Sequence, residues 1–216
     1  NGRLLKVERP NGTSQTRTYT AKGLMSTLRE LGVAGAVIVE WTFSYAAAGQ
    51  LIDEVRTPAA TVPLPTTVRM TYDGDNRVAS YNGQPVVMDA DGNLRRGPLA
   101  GGVFGDLSVN ARNQLTAAGS ISYTYDLQGL RVAVTSGGTT TRLTHDLSGP
   151  VPRVLTARTD TTTTEYVYGV GLLHEETGSQ VRYYHFDYRG STVAMSDAAG
   201  AVKGTVLYGP WGEEAA

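Results

Sequence analysis

Cysteine is absent from the 216 residues. That removes a disulfide framework, a thiolate nucleophile and any cysteine-held zinc site, while leaving the compartment open. Charge is scarce as well, at 18% of residues against about 25% in ordinary domains. The formal net charge is −1, and the 19 basic residues, 16 Arg and 3 Lys, are scattered. No field is present to gather nucleic acid or an anionic membrane. Long apolar runs are missing too. The longest, residues 31–39, holds nine residues including Gly32 and Gly35, and a spanning helix needs about 20. No membrane span is expected, and the run reads as a buried strand. Helix-forming windows are few; residues 23–31, bounded by Gly23 and Gly32, allow a few turns at most. The sequence opens Asn1-Gly2-Arg3, with no start methionine and no signal-peptide n-region or h-region. It is expected to be an internal piece of something longer.

What is abundant points one way. There are 27 Thr, 26 Gly and 12 Tyr. Threonine and tyrosine favour strands and glycine serves turns, so the expected fold class is all-β.

A repeat is hidden by irregular spacing. An aromatic or apolar residue at position 0 is followed by Gly or Asn at +4 and an apolar residue at +6, often with Asp at +1. Copies start at Tyr19, Tyr45, Tyr72, Met88, Val109, Tyr125, His145, Val167, Phe186, Ser196 and Tyr208. Asp holds +1 at Asp73, Asp89, Asp126, Asp146, Asp187 and Asp197. The +4 residues include Asn76, Gly92, Gly129, Gly190, Gly200 and Gly212. Eight +6 residues are apolar: Met25, Leu51, Val78, Leu94, Leu115, Val151, Leu173 and Val202.

One local rule explains the restricted positions. Asp at the first position of a type I turn accepts a hydrogen bond from the N–H two residues on. The fourth turn position needs positive φ, which Gly gives freely and Asn tolerates. A type I turn followed by such a residue is a three-residue hairpin with a G1 bulge. Position 0 then faces +6 across the hairpin, which makes Tyr45, Tyr72, Tyr125, Phe186 and Tyr208 cross-strand aromatics. The incoming strands alternate with period two, as in Ile121, Tyr123 and Tyr125 against Ser122 and Thr124. Lone hairpins cannot bury a face. The expectation is one continuous, curling series of antiparallel hairpins over residues 1–216, with no dividing linker. Residues 58–65 and 97–105 read as loop excursions. Residues 137–141 and 159–164 read as hairpin ends or polar strand edges.

These units resemble the YD repeats of the Rhs family, of the BC components of bacterial Tc toxins, and of teneurins. The resemblance is densest at the C-terminus. Residues 183–192 read Tyr-Tyr-His-Phe-Asp-Tyr-Arg-Gly-Ser-Thr, residues 196–200 read Ser-Asp-Ala-Ala-Gly, and residues 208–213 read Tyr-Gly-Pro-Trp-Gly-Glu. Residues 181–216 are thus similar to the beginning of the Rhs-associated core, with Gly209 and Trp211 in place of its usual Asp and Phe. The resemblance implies hairpins spiralling into a curved β-shell that encloses a toxic C-terminal segment. In those relatives the core runs on to an aspartyl self-cleavage site, and no residue of this sequence matches that part.

Chemistry competes poorly with turn structure. Most Asp residues sit at +1, where they serve the backbone. Residues 89–93 resemble the start of a calcium loop, yet the twelfth position, which needs a bidentate Glu, is Ala100. His145, His174 and His185 are isolated, and His185 is read as a structural hydrogen-bonding residue at −1. No Gly-x-Ser-x-Gly elbow, phosphate loop or dinucleotide fingerprint occurs. No catalytic residue, cofactor or metal is therefore expected, and the chain is not expected to be an enzyme. The function implied by the resemblance is a structural wall segment of a shell that encapsulates a polypeptide toxin. Its partners would be the rest of its own shell chain and the enclosed cargo, and its open sheet edges would favour self-association. Its place would be secreted or at the cell surface. The alternative is a cell-surface or filament-forming YD-repeat protein whose tyrosines bind carbohydrate or a protein partner.

Overall fold

The computed structural model of the chain describes residues 2–59, 67–99, 102–208, 212, 214 and 215, and every structural statement applies to these. The fold is nearly all-β. It has two compact units, Asn1–Leu64 with Tyr166–Ala216, and Pro65–Glu165.

The first unit begins with a five-stranded antiparallel meander: β1 (Lys6–Glu8), β2 (Ser14–Tyr19), β3 (Met25–Leu31), β4 (Val37–Tyr45) and β5 (Leu51–Thr57). The second unit opens with β6 (Met70–Tyr72), β7 (Val78–Tyr81) and β8 (Gln84–Pro85) as a three-stranded sheet. A separate sheet then starts with β9 (Val87–Met88), β10 (Leu94–Pro98), β11 (Phe104–Val109), β12 (Leu115–Ala118), β13 (Ile121–Tyr125), β14 (Arg131–Ser136), β15 (Thr139–Asp146) and β16 (Arg153–Arg158). The unit boundary falls inside β17 (Thr163–Tyr168). Beyond it stand β18 (Leu172–Thr177), β19 (Gln180–Phe186), β20 (Thr192–Asp197) and β21 (Val202–Thr205). From β9 to β21 each strand neighbours its chain successor in one open 13-stranded sheet. The pair β22 (Leu207–Tyr208) and β23 (Glu214–Ala215) stands apart.

The turn rule appears in the backbone. In the Tyr72 unit, Asp73 N–H donates to Arg77 O at 2.9 Å and Asn76 N–H to Asp73 O at 3.1 Å. Asn76 has φ 60 and Tyr72 pairs with Val78. The same two bonds close the units at Tyr19, Tyr45, Met88, Val109, Tyr125, Phe186 and Ser196. At Tyr208 the pairing with Glu214 and φ 83 at Gly212 are present, and the residues between lie mostly outside those described.

Two expected copies do not form. At His145 the partner is Val154, and Gly149 is not among the positive-φ residues. The cause is Pro150 at +5. In the other turns with Asp, Asn or Thr at +1 that side chain holds the +5 N–H, and proline has no N–H; the residue before proline is also restricted. At Val167 the connection closes early, Gly169 N–H donating to Gly171 O at 2.8 Å. Gly171, at +4, is not among the positive-φ residues.

Three unexpected copies do form. Glu8, Leu31 and Pro98 each occupy position 0, with Gly12, Gly35 and Gly102 at +4 in positive φ. The apolar run over residues 31–39 is therefore not one strand. The turn Gly32–Ala36 divides it, with Ala34 at φ 58. Residues 97–105 likewise contain a repeat turn rather than a loop excursion. Residues 137 and 138, both positive-φ glycines, close a two-residue hairpin in which Ser136 faces Thr139.

A second bulge recurs after the turn. In the Tyr19 unit Tyr19 pairs with Met25 while Thr18 pairs with Thr27, which leaves Ser26 extra. The same offset occurs in the units of Leu31, Tyr45, Tyr72, Met88, Val109, Tyr125, Phe186 and Ser196. A bulge bends its strand and raises local twist. Curvature is thus supplied at the same position of successive hairpins.

The deepest packing lies in the first unit. Leu28, Val39, Trp41 and Phe43 from β3 and β4 pack against Val193 of β20, with Met25, Ile38, Tyr45 and Tyr188 around them. In the second unit Ala133 is the one buried apolar residue among those described.

Candidate functional site

Five of the six +1 aspartates hold two backbone donors each, and Asp146 holds one, from Ser148 N–H. Asp73 Oδ1 accepts from Asp75 N–H and Arg77 N–H, both at 2.9 Å. Asp89, Asp126, Asp187 and Asp197 repeat this with the N–H groups at +3 and +5. Asn110 does the same for the Val109 unit. The Arg77 backbone N–H holds the Asp73 carboxyl below its usual range, and the Asn93 backbone N–H does so for Asp89. For Asp197 the largest cause of the same downward shift is Lys203. One oxygen of each of these carboxylates is engaged as a turn acceptor. Opposite them Asn76, Gly92, Gly129, Gly190, Gly200 and Gly212 all take positive φ.

The aromatics at position 0 do two different things. Tyr45 O–H donates to Met25 O at 2.8 Å, and Tyr125 O–H to Leu115 O at 2.9 Å. In both, the acceptor is the +6 residue of an earlier unit, that of Tyr19 for Tyr45 and that of Val109 for Tyr125, so the hydroxyl ties one repeat turn to another. Tyr72 lacks such a tie; it is 57% exposed and meets Met70 Sδ at 3.8 Å. Phe186 pairs with Thr192 and Tyr208 with Glu214. Turns are also tied edge to edge. Asn93 Nδ2 donates to Asn113 Oδ1 at 2.9 Å and Arg112 Nη1 to Leu127 O at 3.0 Å. The shallow groove of about 360 Å³ beside Tyr123 and Tyr125 is lined by these same engaged groups.

The strongest cluster was not visible in the repeat. Glu30, at −1 of the Leu31 unit, is fully buried. Its carboxylate receives Arg9 Nη1 at 2.9 Å, Arg9 Nη2 at 3.2 Å, Gln15 Nε2 at 2.6 Å and Phe186 N–H at 3.1 Å. His185 Nδ1 lies 2.9 Å from its other side, and His185 Nε2 lies 2.9 Å from Ser196 Oγ. Asn11 Nδ2 donates to Ser196 Oγ and to Asp197 O, each at 2.9 Å. Burial pushes the Glu30 carboxyl up, but His185 and Arg9 outweigh it, and the group titrates below its ordinary range.

Glu30, His185 and Ser196 form a carboxylate–imidazole–hydroxyl chain, the connectivity of an acyl-transfer triad. Its use is different here. Ser196 and His185 have no exposed surface, and Ser196 Oγ already receives Asn11. A nucleophile must reach substrate, and this hydroxyl reaches protein. The chain instead seams residues 9–31 to residues 185–197 within one unit. Tyr188 and Arg189 extend the seam by donating to Glu54 Oε2 at 2.5 and 2.9 Å. Among the described residues no group of three or more acidic or histidine side chains is placed to hold a metal ion.

Of the expected residues, the structure brings Phe186, Asp197 and Gly200 to this seam and distributes the others along successive turns. Glu30, Arg9 and Asn11 carry no repeat signature. Arg9 reaches Glu30 across 21 positions, whereas Glu30 meets His185 across 155 and Asn11 meets Ser196 across 185; only the −1 placement that Glu30 shares with His185 links them in the sequence.

Comparison with known proteins gives a fold likeness. The chain aligns over 99% of its length with 15% of a chain from the crystal structure of TcdB2-TccC3-Cdc42, at a TM-score of 0.57 and 13% identity. It aligns over 98% with 15% of a chain from the crystal structure of TcdB2-TccC3-TEV, at a TM-score of 0.55 and 13% identity. Both are Tc toxin chains. The chain spans about 15% of the length of these neighbours. No family profile matches the sequence, and no curated protein matches it.

Proposed function

We propose that this chain is a wall segment of an Rhs-type shell in a longer protein, where it encloses a polypeptide cargo. The observation that carries the reading is the repeated bulged hairpin, matched over nearly the whole chain by the fold of Tc toxin chains. A wall acts passively. Antiparallel ladders satisfy the backbone without a second chain, recurrent bulges curve the sheet, and turn-to-turn bonds tie one hairpin to the next. Nothing in this role requires a catalytic group, and the buried Glu30–His185–Ser196 chain serves it as a structural lock. The partners are the remaining strands of the same shell and the cargo within, and the longer protein works outside the cell that makes it.

The test is proteolysis of the longer protein that contains this segment. Its C-terminal cargo should resist a broad-specificity protease while the shell is folded and become cleavable once residues 166–208 are deleted. Equal cleavage of the cargo in both proteins sinks the reading.

A further inference from the structure

One row of the Pro65–Glu165 unit breaks the charge logic of its sheet. Across β13 to β17 the register sets Thr124 opposite Ala133, Ala133 opposite Arg142, Arg142 opposite Arg158 and Arg158 opposite Thr163. Directly opposed residues share a face, with Cβ atoms about 4.5–5.5 Å apart, and like charges so placed are destabilising. Arg142 and Arg158, both exposed, therefore stand side by side, with buried Ala133 on the other side of Arg142.

Several other arginines in the chain have a carboxylate partner. Arg96 pairs with Asp106, Arg77 with Asp73 and Asp75, Arg182 with Glu175, and Arg189 with Glu54. Arg142 and Arg158 form no hydrogen bond or ion pair among the described residues. Glu165 lies opposite Thr156 on the same face, diagonal to Arg158, and Asp160 lies in the adjoining turn. Neither closes onto a guanidinium. The next row of this face is Thr144 opposite Thr156. Two arginines and two threonines thus occupy the corners of one small patch, and neither hydroxyl has a hydrogen-bond partner among the described residues.

A locally unfavourable pair without compensation inside the fold is where function is expected. The guanidinium fork matches oxyanions in two-bond geometry, and a second fork doubles the charge. We propose that Arg142 and Arg158, flanked by Thr144 and Thr156, form a binding site for a sulfate- or phosphate-type oxyanion group. The arrangement is independent of the shell reading, since it needs neither cargo nor further strands.

The experiment is thermal unfolding of the full chain and of Arg142→Gln, in chloride and in sulfate or phosphate of equal ionic strength. In chloride, Arg142→Gln should melt about 1–3 °C above the parent, because repulsion is relieved. Sulfate and phosphate should raise the parent's Tm and leave the variant's unchanged. A double Thr144→Val, Thr156→Val variant should lose part of that rise. A parallel arm uses a sulfated tetrasaccharide at the same sulfate concentration. A rise with both probes assigns the site to free oxyanions, and a rise with the saccharide alone assigns it to a sulfated chain. A variant that melts at or below the parent in chloride, or that keeps the parent's full response to both probes, overturns the proposal.

Discussion

His185 Nδ1 lies 2.9 Å from Glu30 Oε2 across 155 positions of sequence, and neither side chain has any exposed surface. A carboxylate in that position is tolerable because five donor groups surround it. Remove it, and Arg9 is left as an uncompensated buried charge. Breaking a buried pair in this way costs about 3–5 kcal/mol. Glu30→Ala should therefore lose about that much in urea unfolding followed by the fluorescence of buried Trp41. Glu40→Ala removes the partner of Arg29 in a pair whose arginine is 47% exposed. It should cost less than about 1 kcal/mol. Equal losses in the two variants would show that the seam is not the lock.

Acid should weaken the fold in a defined direction. Glu30, Asp73, Asp89, Asp146 and Asp197 all titrate below their ordinary values of 4.5 or 3.8. A depressed folded value means that the stabilisation is complete above the unfolded value and disappears as pH falls through the folded one. Tm should be nearly flat from about pH 7 to about pH 5 and fall steeply below about pH 4. Glu30→Gln should start lower and fall less. Calorimetry across that range checks both slopes, and a Tm that rises on acidification contradicts the assignment.

The sequence exposes the local rule and hides what the rule builds. Asp73, Asn76 and Tyr72 are legible because a turn is decided by neighbours four residues away. Leu31 and Pro98 escape because their units lack both Tyr and Asp, although Gly35 and Gly102 stood at the right distance. His145 was expected as a copy because glycine at +4 was weighed without the proline at +5. The second bulge at Ser26 and its equivalents leaves no residue-type signature, since any side chain can stand there. The seam was illegible for a different reason. Arg9, Glu30 and Ser196 meet through tertiary packing, and no spacing in the chain encodes that meeting.

The tyrosine hydroxyls should matter where they bridge units. Tyr45→Phe removes the bond to Met25 O and leaves the ring in place. Its cost should be about 0.5–1.5 kcal/mol, the usual net worth of one such bond. Tyr72→Phe removes a hydroxyl that meets only Met70 Sδ and should be close to neutral. Denaturant midpoints of the two variants decide the matter. A Tyr45→Phe loss no larger than that of Tyr72→Phe would remove the inter-unit tie from the account of the wall.

Two glycines with the same backbone conformation should respond differently to alanine. Gly190 has φ +90 and open space where a Cβ would stand. Alanine there meets only the left-handed penalty, about 1–2 kcal/mol. Gly200 has φ +81, and a Cβ there would lie 2.8 Å from Asn11 O and 2.3 Å from Val33 Cγ2. The valine can turn aside, but the carbonyl belongs to Asn11, whose side chain is fixed on Ser196 and Asp197. Overpacking adds about 1–3 kcal/mol to the conformational cost. Gly200→Ala should therefore lose about 2–5 kcal/mol, and should speed amide exchange at Thr13 and Phe186 ahead of global unfolding. Gly190→Ala should leave those amides protected. If both variants lose the same stability and protect the same amides, turn strain alone accounts for the cost, and Gly200 has no part in holding the two segments together.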